Sequence, residues 1–450
     1  MPKKPEPAPP GELSAAEFPR MLEAMQSGEL SDVIRRANRD YLYWDRLKQL
    51  PMPDGVAPES AWHFVKMLRG IDRKPTPVVD THGHSFTYML TDEIQRCLHM
   101  IDRDAGGRIT SADAGIPEYA QRRYLVSSLM EEAIASSQIE GAATTRRVAK
   151  DMLRTGRKPR DRAERMIINN YRTITMLREH PDEPFSPGLI IRIQASLTEG
   201  TLDDTADVGR LRTDDEVLVH DNATGAVLHV PPPASQIEYE LTRLCDWVND
   251  EGGEFQHPVL RACILHFWLA YLHPFADGNG RTARALFYLY LLKHGYRLLE
   301  FVPVSRVILR RRGQYDRSYL YAETDDADMT YFLVFHLHAV ESALKELWEY
   351  IERRARRDRE LAGMVTTDAK LNYRQRALLS RAIADRTSEF TVESHRASHG
   401  VSYPTARADL LELRDRGYLT MRTEGRAFVF SPAEDLGAVR RSEDPGPRTV

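Results

Sequence analysis

Cysteine is scarce in this sequence, and long hydrophobic runs are missing from it. The 450 residues include three cysteines, Cys97, Cys245 and Cys263, each inside an apolar pattern typical of a helix. A small, odd number of buried thiols excludes a disulfide framework and favours a reducing compartment, so we expect a cytoplasmic protein. The longest apolar stretches, near residues 263–272 and 285–292, are too short to cross a bilayer, so no membrane partner is expected.

The sequence also lacks a large excess of charge of either sign. The net charge is -4 at pH 7 and hydrophobic residues make up 42% of the chain, which excludes global disorder and gives no whole-chain argument for nucleic acid. Residues 1–11 have lysines with no apolar segment behind them, so no signal peptide is expected. The length of 450 residues allows two or three domains with sizeable cores.

A polar island separates two apolar, helix-like runs in the second half of the chain. The island, HPFADGNGRTAR, occupies residues 273–284, between apolar runs at 257–272 and 285–296. Burying this many polar groups in a helical core costs several kcal/mol unless partners or a ligand satisfy them. The pattern therefore predicts a ligand site at the junction of two helices. A plain helix–loop–helix turn with surface arginines is the alternative.

The middle and end of the island suit a nucleotide phosphate. Gly278, Asn279 and Gly280 allow positive φ, so successive N–H groups can converge into an anion-binding nest. The next helix would begin at Arg281, and the N-terminal amides of a helix favour a phosphate. Arg281 and Arg284 add charged forks for phosphate oxygens.

The beginning of the island supplies the chemistry that a transfer reaction needs. Asp277 offers a carboxylate oxygen to Mg²⁺, which commonly binds through one or two carboxylates plus substrate phosphates. His273 ends the preceding helix, where it can accept a proton from an attacking hydroxyl at neutral pH. These residue types together indicate transfer chemistry on a nucleotide.

The island resembles the signature of the Fic family, HPFx(D/E)GNGRxxR, at every specified position. Proteins of this family are mostly adenylyltransferases that move AMP from ATP to a hydroxyl on a protein side chain. The resemblance implies a helical Fic core, ATP as substrate, Mg²⁺ as cofactor, and an unknown protein target bearing Ser, Thr or Tyr. It implies that His273 is the catalytic base and Asp277 the metal ligand. The ATP- and phosphate-binding residues that it implies are Asp277, Gly278, Asn279, Gly280, Arg281 and Arg284.

A helix predicted over residues 122–141 has an unusual C-terminus. Ser136 and Glu140 share a face, and Gly141 is a helix stop signal. A carboxylate there opposes the helix dipole, so we expect a cationic partner elsewhere, with a solvated glutamate as the alternative. Ser136-x-x-x-Glu140-Gly141 is similar to the (S/T)xxxE(G/N) inhibitory motif of Fic proteins. In the family this glutamate pairs with the second arginine of the core motif, here Arg284, which implies autoinhibition.

Two further patterns lie outside the helical core. Two β-type runs at 216–220 and 226–230, joined by Asn, Thr and Gly, predict a hairpin, and the Fic family has a flap there that docks the target by strand addition. From residue 371 a helix, two more helices and an alternating run resemble a winged helix-turn-helix. Its charge is modest, since residues 371–430 contain ten arginines and seven acidic residues, a net of +3. Duplex DNA bound through 371–432 and a homodimer are therefore further partner hypotheses.

The expected architecture is mainly α, with a Fic helical core, a β-hairpin flap and a small C-terminal winged helix-turn-helix domain. The expected function is an autoinhibited protein adenylyltransferase that also modifies itself. The alternatives are removal of AMP with Glu140 positioning a water, and a DNA-binding regulator that senses nucleotide. The predicted segments are a disordered tail (1–12), a helical region (13–120), an inhibitory helix (121–145), the Fic core (146–357), a linker (358–370), the winged helix (371–432) and a tail (433–450).

Overall fold

The protein is mainly α-helical, which confirms the predicted fold class. The chain forms two compact units, one made of Met1–Thr110 with Leu125–Lys345 and the other of Ser111–Tyr124 with Glu346–Val450. No helix in the described part of the chain combines the length and the apolar character that a membrane span requires. The computed structural model describes residues 5–105, 118–221, 224–250, 252–368, 370–384, 388–424 and 427–433.

The helices are numbered in chain order. They are α1 (Phe18–Gln26), α2 (Ser31–Arg39), α3 (Trp44–Leu47), α4 (Pro58–Gly70), α5 (Asp92–Ala105), α6 (Glu118–Ile139), α7 (Arg146–Thr155), α8 (Arg162–Glu179), α9 (Pro187–Thr198), α10 (Ile237–Asn249), α11 (Pro258–Leu272), α12 (Asn279–Lys293), α13 (Val304–Arg310), α14 (Arg312–Thr324), α15 (Thr330–Thr367), α16 (Tyr373–Ala384), α17 (Val392–His399) and α18 (Tyr403–Asp415). Short 3₁₀ turns cover Thr205–Asp207, Ala234–Gln236 and Arg297–Phe301.

The strands form three small antiparallel sheets. Two of these sheets are hairpins, β1 with β2 and β3 with β4, and the third has the order β5-β7-β6. The pair β3–β4 is the predicted flap, although its strands are shorter than the β-type runs in the sequence. The strands are β1 (Arg73–Val79), β2 (Ser85–Met89), β3 (Val219–His220), β4 (Val227–His229), β5 (Phe390–Thr391), β6 (Leu419–Glu424) and β7 (Ala427–Pro432).

The helices α11 and α12 lie at the centre of the first unit and pack against each other. Twelve of the fifteen residues of α11 are buried, and the same holds for α12. A helix that is buried all round belongs in the core, which explains why neither sequence shows a polar face. The three cysteines are free and buried, as expected. Eight of the twelve residues of the polar island are also buried, whereas Ala276 is exposed and Asp277 partly exposed.

The N-terminal region departs from the prediction in two places. The region predicted as helical from residue 13 to 120 also contains the hairpin β1–β2, whose first strand carries Pro75 and Pro77. Proline weakens a strand pattern, but a two-stranded hairpin has only edge strands, where the missing N–H is tolerated. The predicted disordered tail also makes contacts, because Ala8 packs against the cluster of α1–α4 and His63 lies 3.3 Å from the carbonyl of Pro9.

The second unit has its own core, formed by α16–α18 and the three-stranded sheet. The order of helix, strand, two helices and hairpin agrees with the predicted element order, and the name winged helix stays a prediction. The predicted linker at 358–370 is instead mostly the end of α15, which continues to Thr367. Arg359, Glu360, Leu361 and Ala362 favour a helix here despite Gly363. The predicted tail from residue 434 onward lies outside the described residues.

Candidate active site

The polar island forms the turn between α11 and α12. The helix α11 ends at His273, whose φ of 48° and ψ of 56° lie in the left-handed region. A non-glycine residue rarely adopts this conformation, which carries strain on the order of 1 kcal/mol and is often found at functional sites. The helix α12 begins after Gly278, whose φ is 88°. The turn therefore brings the carbonyl end of α11 beside the amide end of α12.

Two glycines open the start of α12. A Cβ at Gly278 would lie 2.8 Å from Cγ2 of Thr198, so this position needs both the positive φ and the missing side chain. A Cβ at Gly280 would collide with the carboxylate of Glu140 and would lie 3.2 Å from Nη1 of Arg284. The carboxylate of Glu140 thus lies directly over the first turn of α12, where N–H groups have no partner within the helix.

His273 is held in one tautomer. Its Nδ1 lies 2.9 Å from the carbonyl of Ala270, and because a carbonyl only accepts, Nδ1 carries the proton and Nε2 is left as an acceptor. Burial lowers the pKa of His273 to about 4, although the Ala270 carbonyl acts in the opposite direction. A neutral imidazole with a free Nε2 is the form that a general base requires.

The carbonyl groups at the end of α11 bind side chains that the sequence did not point to. Nε of Arg212 donates to the carbonyl of His273 at 2.9 Å, and the backbone N–H of Arg212 donates to Pro274 at 2.9 Å. Nε2 of His229 donates to the carbonyl of Tyr271 at 2.7 Å. Arg212 follows an apolar helix and precedes the flap, so its position in Gly-Arg-Leu-Arg was a signal. His229 was visible only as a histidine in a β-type run.

The side chains of Asn279 and Arg281 form hydrogen bonds with residues in or next to the turn. The amide of Asn279 accepts the N–H of Phe275 at 3.0 Å and donates to its carbonyl at 2.8 Å, so phosphate contact from Asn279 would come from its backbone. Nη1 of Arg281 donates to the carbonyl of Leu197 at 3.0 Å, and Nη2 to Oδ2 of Asp277 at 3.2 Å. Arg281 is fully buried. These two residues hold the turn in shape and orient Asp277.

Ser136 and Glu140 both contact Arg284. Nε of Arg284 donates to Oγ of Ser136 at 2.9 Å, and Nη2 donates to the Ser136 carbonyl at 2.9 Å and to Oε1 of Glu140 at 2.8 Å. Burial alone would raise the pKa of Glu140, but the charge of Arg284 and then that of Arg312 hold it below its ordinary value. Nη1 of Arg284 is buried and has no hydrogen-bond partner among the described residues. One guanidinium nitrogen is thus left for another acceptor.

These groups surround one cavity of about 590 Å³. Its walls include the flap, the end of α6, the turn between α11 and α12, and one face of α14. The side chains of His273, Glu140 and Asp277 line it together with Tyr315. The volume is within the usual range for a small-molecule site of roughly 300–1,000 Å³.

The residues present fit a magnesium ion. Asp277 lines the cavity with 40% of its side chain exposed, and its Oδ1 accepts the N–H of Gly278 at 2.5 Å. An exposed carboxylate oxygen next to an anion site matches the usual arrangement for Mg²⁺, which binds one or two carboxylates plus phosphate oxygens. Asp277 is the residue that would hold the ion.

A second cluster with metal-ligand residue types lies outside this cavity. Oxygen, sulfur and nitrogen atoms of Glu93, Cys97 and His338 are within 4.8 Å of one another. Nη2 of Arg96 donates to Glu93 at 2.8 Å and to Glu341 at 2.9 Å, and lies 3.2 Å from Sγ of Cys97. A guanidinium already occupies the point where these atoms converge, so the cluster is complete as an ion-pair network.

Comparisons with known proteins support the Fic resemblance. The Fic/DOC family model matches residues 184–291, a range that contains His273 to Arg284 but not Ser136 or Glu140. The protein adenylyltransferase Fic of Nematostella vectensis is 33% identical over 116 residues, which cover 26% of this chain and 25% of that protein. The enzyme of the same name from Drosophila sechellia is 28% identical over 160 residues, 36% of this chain and 30% of that protein. The match thus spans less than a third of these relatives.

The fold also matches a solved structure. A Fic family protein from Desulfovibrio desulfuricans G20 aligns with a TM-score of 0.53 and 23% identity, over 77% of this chain and 98% of that protein. At this identity the likeness concerns the fold alone. Residues 184–291, which contain the complete motif, are thus similar to the Fic/DOC family, and the helical core with its hairpin flap agrees in fold with a solved Fic family protein.

Proposed function

We propose that the chain is a protein adenylyltransferase that Glu140 holds in an inhibited state. In the reaction, a Ser, Thr or Tyr hydroxyl oxygen of a protein forms a bond to the α-phosphorus of ATP. The bond from that phosphorus to the oxygen bridging to the β-phosphate breaks, and pyrophosphate leaves. The hydroxyl proton passes to Nε2 of His273.

The observation that carries this proposal is that a proton acceptor and an anion site share one cavity. His273 is neutral with Nε2 unprotonated, and the first turn of α12 lies across the same cavity with Arg284 behind it. Transfer of a phosphorus group depends mainly on positioning and on electrostatic stabilisation, so this pairing suits it. Backbone amides of Gly278–Arg281 would bind phosphate oxygens, and Arg284 would bind the γ-phosphate.

Asp277 would hold Mg²⁺, which when bound supplies positive charge to the phosphates. The chain itself supplies what orients that carboxylate, namely Arg281 and the N–H of Gly278.

Autoinhibition is the regulatory part of the proposal. The carboxylate of Glu140 occupies the space over Gly280 and takes one nitrogen of Arg284. A γ-phosphate at the first turn of α12 would need the space that this carboxylate fills and the guanidinium that it pairs with, so the two anions compete. We expect ATP to bind with its α-phosphate displaced from in-line attack while Glu140 is in place. Release of Glu140 would allow transfer to a target and to the chain itself.

Removal of AMP is a second candidate, because Glu140 and His273 line the same cavity. A water positioned by Glu140 would attack the phosphorus of an AMP-modified side chain, the bond from phosphorus to the side-chain oxygen would break, and AMP would leave as the side-chain oxygen regains a proton. Mixing AMP-labelled Glu140→Gly chain with wild type would test this candidate. Loss of label that requires Glu140 in the added chain would establish it.

No observation favours DNA binding through the second unit. Two exposed arginines in its described part already pair with acidic neighbours, Arg396 with Glu393 and Arg422 with Glu389. Arg426, one of the ten arginines of this segment, lies outside the described residues. A titration of the full chain with labelled duplex DNA would test DNA binding. A measurement of the oligomeric state in solution would test the homodimer hypothesis.

The proposal is tested with two ATP labels. Wild type and Glu140→Gly would be incubated with a cell lysate and ATP labelled at the α-phosphate or at the γ-phosphate. We expect Glu140→Gly to incorporate the α label into protein and to leave the γ label in pyrophosphate. Incorporation of the γ label would mean phosphoryl transfer and would overturn the proposal, as would no incorporation of either label.

A further inference from the structure

One side chain of the flap contacts the C-terminal end of α11. His229, the last residue of β4, is 8% exposed and lies between α11 and α14. Its Nε2 is 2.7 Å from the carbonyl of Tyr271, and its Nδ1 is 2.7 Å from Oε2 of Glu323 on α14. These two contacts tie the flap to two helices at once.

The two partners decide the protonation state of His229. A carbonyl oxygen and a carboxylate both accept hydrogen bonds and donate none, so each ring nitrogen of His229 must carry a proton. A doubly protonated imidazole is a cation, and its position at the C-terminus of α11 is favourable because the helix dipole is negative there. Burial and, to a smaller extent, the charge of Arg212 lower the pKa of His229, but Glu323 and the carbonyl of Tyr271 together raise it above its ordinary value.

This cation lies beside the proposed base. The ring centres of His229 and His273 are 6.5 Å apart. The other charged groups acting on His273 are Arg212, from the segment before the flap, and Glu140, from the end of α6. Glu140 favours a proton on His273, whereas His229 and Arg212 oppose it. When Glu140 leaves, the remaining charges both act against protonation.

We propose that His229 and Glu323 are positioning residues of the reaction, which fasten β4 to the end of α11 and hold a positive charge that keeps His273 unprotonated. The flap and the base are thereby coupled. A flap that detaches would take the cation away, and His273 would become easier to protonate. The proposal rests on the proposed function for its kinetic consequence but not for the charge on His229.

The charge is tested without any activity. In full-length protein labelled with ¹⁵N-histidine, His229 would be assigned from the signal that disappears in His229→Gln, among the 15 histidines of the chain. We expect both ring nitrogens of His229 to show N–H character at pH 7.5. In Glu323→Gln we expect one of the two protons to be lost. A neutral His229 in the wild-type chain would overturn the proposal whether or not the protein transfers AMP.

The effect on His273 is tested by pH profiles of AMP transfer in the Glu140→Gly background. A unit charge about 6.5 Å away, at an effective dielectric constant of about 20, shifts a neighbouring pKa by roughly 1 to 2 units. His229→Gln and Glu323→Gln should therefore move the acidic limb of the profile upward by about that amount. His229→Lys keeps a positive charge with donors for both acceptors, and it should restore the limb of the parent.

The matched control is Glu93→Gln, which removes the carboxylate 2.6 Å from His338 in a His–Glu pair outside the cavity. It should leave the limb unmoved. Equal shifts in His229→Gln and His229→Lys would mean that packing and not charge is responsible, and would overturn the proposal. An unmoved limb in His229→Gln would do the same. Absence of transfer in the Glu140→Gly parent would instead defeat the proposed function and leave the result on His229 standing.

Discussion

The C-terminus of α11 and the N-terminus of α12 line one cavity, but their terminal backbone groups have different kinds of partner. At the end of α11, resident groups bind the last carbonyls: Nδ1 of His273, Nε2 of His229 and the guanidinium of Arg212. At the start of α12, the anion site is covered by Glu140, which comes from the end of another helix. Arg284 keeps one nitrogen without a hydrogen-bond partner there.

We interpret the contacts at the end of α11 as permanent and the Glu140 carboxylate at the start of α12 as replaceable. Groups that hold and tune the base are fastened by hydrogen bonds that no substrate needs to break. The proposed anion site holds the carboxylate of Glu140, which a phosphate would have to displace because it lies over Gly280 and binds the guanidinium of Arg284. In the proposed mechanism, the catalytic base therefore lies at the end of α11 and the inhibitory contact at the start of α12. Breaking each end separately should give different kinds of defect.

Removing the base should have the largest effect. His273→Ala in the Glu140→Gly background should reduce AMP transfer by about 10²–10⁴-fold, the usual contribution of a general base. ATP affinity should stay nearly the same, because the base contacts the attacking hydroxyl and not the nucleotide. Labelled transfer and calorimetric ATP binding would measure the two effects. Residual transfer within a few-fold of the parent would contradict the assignment of His273.

Removing the replaceable anion should act in the opposite direction. Glu140→Gly should raise AMP transfer by about 10²-fold, since a misplacement of about 1 Å in a reacting group can cost that much. ATP affinity should change much less. The control is Glu179→Gly, which removes an exposed glutamate from the end of α8. Equal rates for wild type and Glu140→Gly at saturating ATP would mean that Glu140 has no inhibitory role.

Arg284 links the two results. Adding Arg284→Ala to Glu140→Gly should abolish the gain, because the freed guanidinium is what the γ-phosphate needs. Arg284→Ala alone should lower the free energy of unfolding by about 2 kcal/mol, less than for a fully buried pair because Glu140 is 27% exposed. Thermal melts would measure this. A double variant as active as Glu140→Gly would exclude Arg284 from phosphate binding.

The sequence could predict the α12 end of this comparison better than the α11 end. The motif is contiguous, so the spacing of Asp277, Gly280 and Arg284 is visible in one dimension. Glu140 was expected to need a cation, because its place at a helix end is unfavourable, and the structure puts it against Arg284. By contrast, Arg212 and His229 reach α11 through tertiary contacts, and no local pattern encodes which carbonyl they bind.

In the fold, too, elements with a clear local pattern could be predicted and elements that depend on tertiary contacts could not. Local chemistry accounts for the start of α9, where Oγ of Ser186 accepts the N–H of Leu189 at 3.1 Å. The hairpin β1–β2 was not predicted, because prolines interrupt its first strand. The end of α15 was interpreted as a linker, because its charged composition hides the helix. Where local preference and tertiary context conflict, the context decides.

Removing the carboxylate beside the anion site should have a moderate effect. Asp277→Ala should lower transfer by about tenfold in the Glu140→Gly background, because the proposed Mg²⁺ would lose one of its one or two carboxylate ligands. Raising the Mg²⁺ concentration should recover part of the rate. Asp277→Glu keeps a carboxylate and serves as the control. If neither the substitution nor a chelator changes transfer, Asp277 does not hold a metal.

A change of pH should have the smallest effect on the rate of AMP transfer. It tests whether His273, at the end of α11, stays unprotonated. Burial lowers the pKa of His273 to about 4, so the base form persists until the pH falls through that value. An ordinary histidine, with a pKa of about 6.5, would lose about three quarters of its base form by pH 6. We therefore expect transfer by Glu140→Gly to change by less than about twofold from pH 8 to pH 6.

The Glu140–Arg284 pair at the start of α12 should be equally insensitive to pH between pH 8 and pH 6. Although burial alone would raise it, the pKa of Glu140 is held below its ordinary value by Arg284. The pair's contribution to stability is then complete above the ordinary glutamate pKa of about 4.3 and is lost as the pH falls through the lowered folded value. Wild type should therefore stay inhibited from pH 8 to pH 6. Initial rates of both chains, with the His273→Ala rate subtracted, would measure this. A fourfold fall in Glu140→Gly would show an ordinary histidine, and activation of wild type by mild acid would show that the Glu140–Arg284 pair is weaker than its geometry indicates.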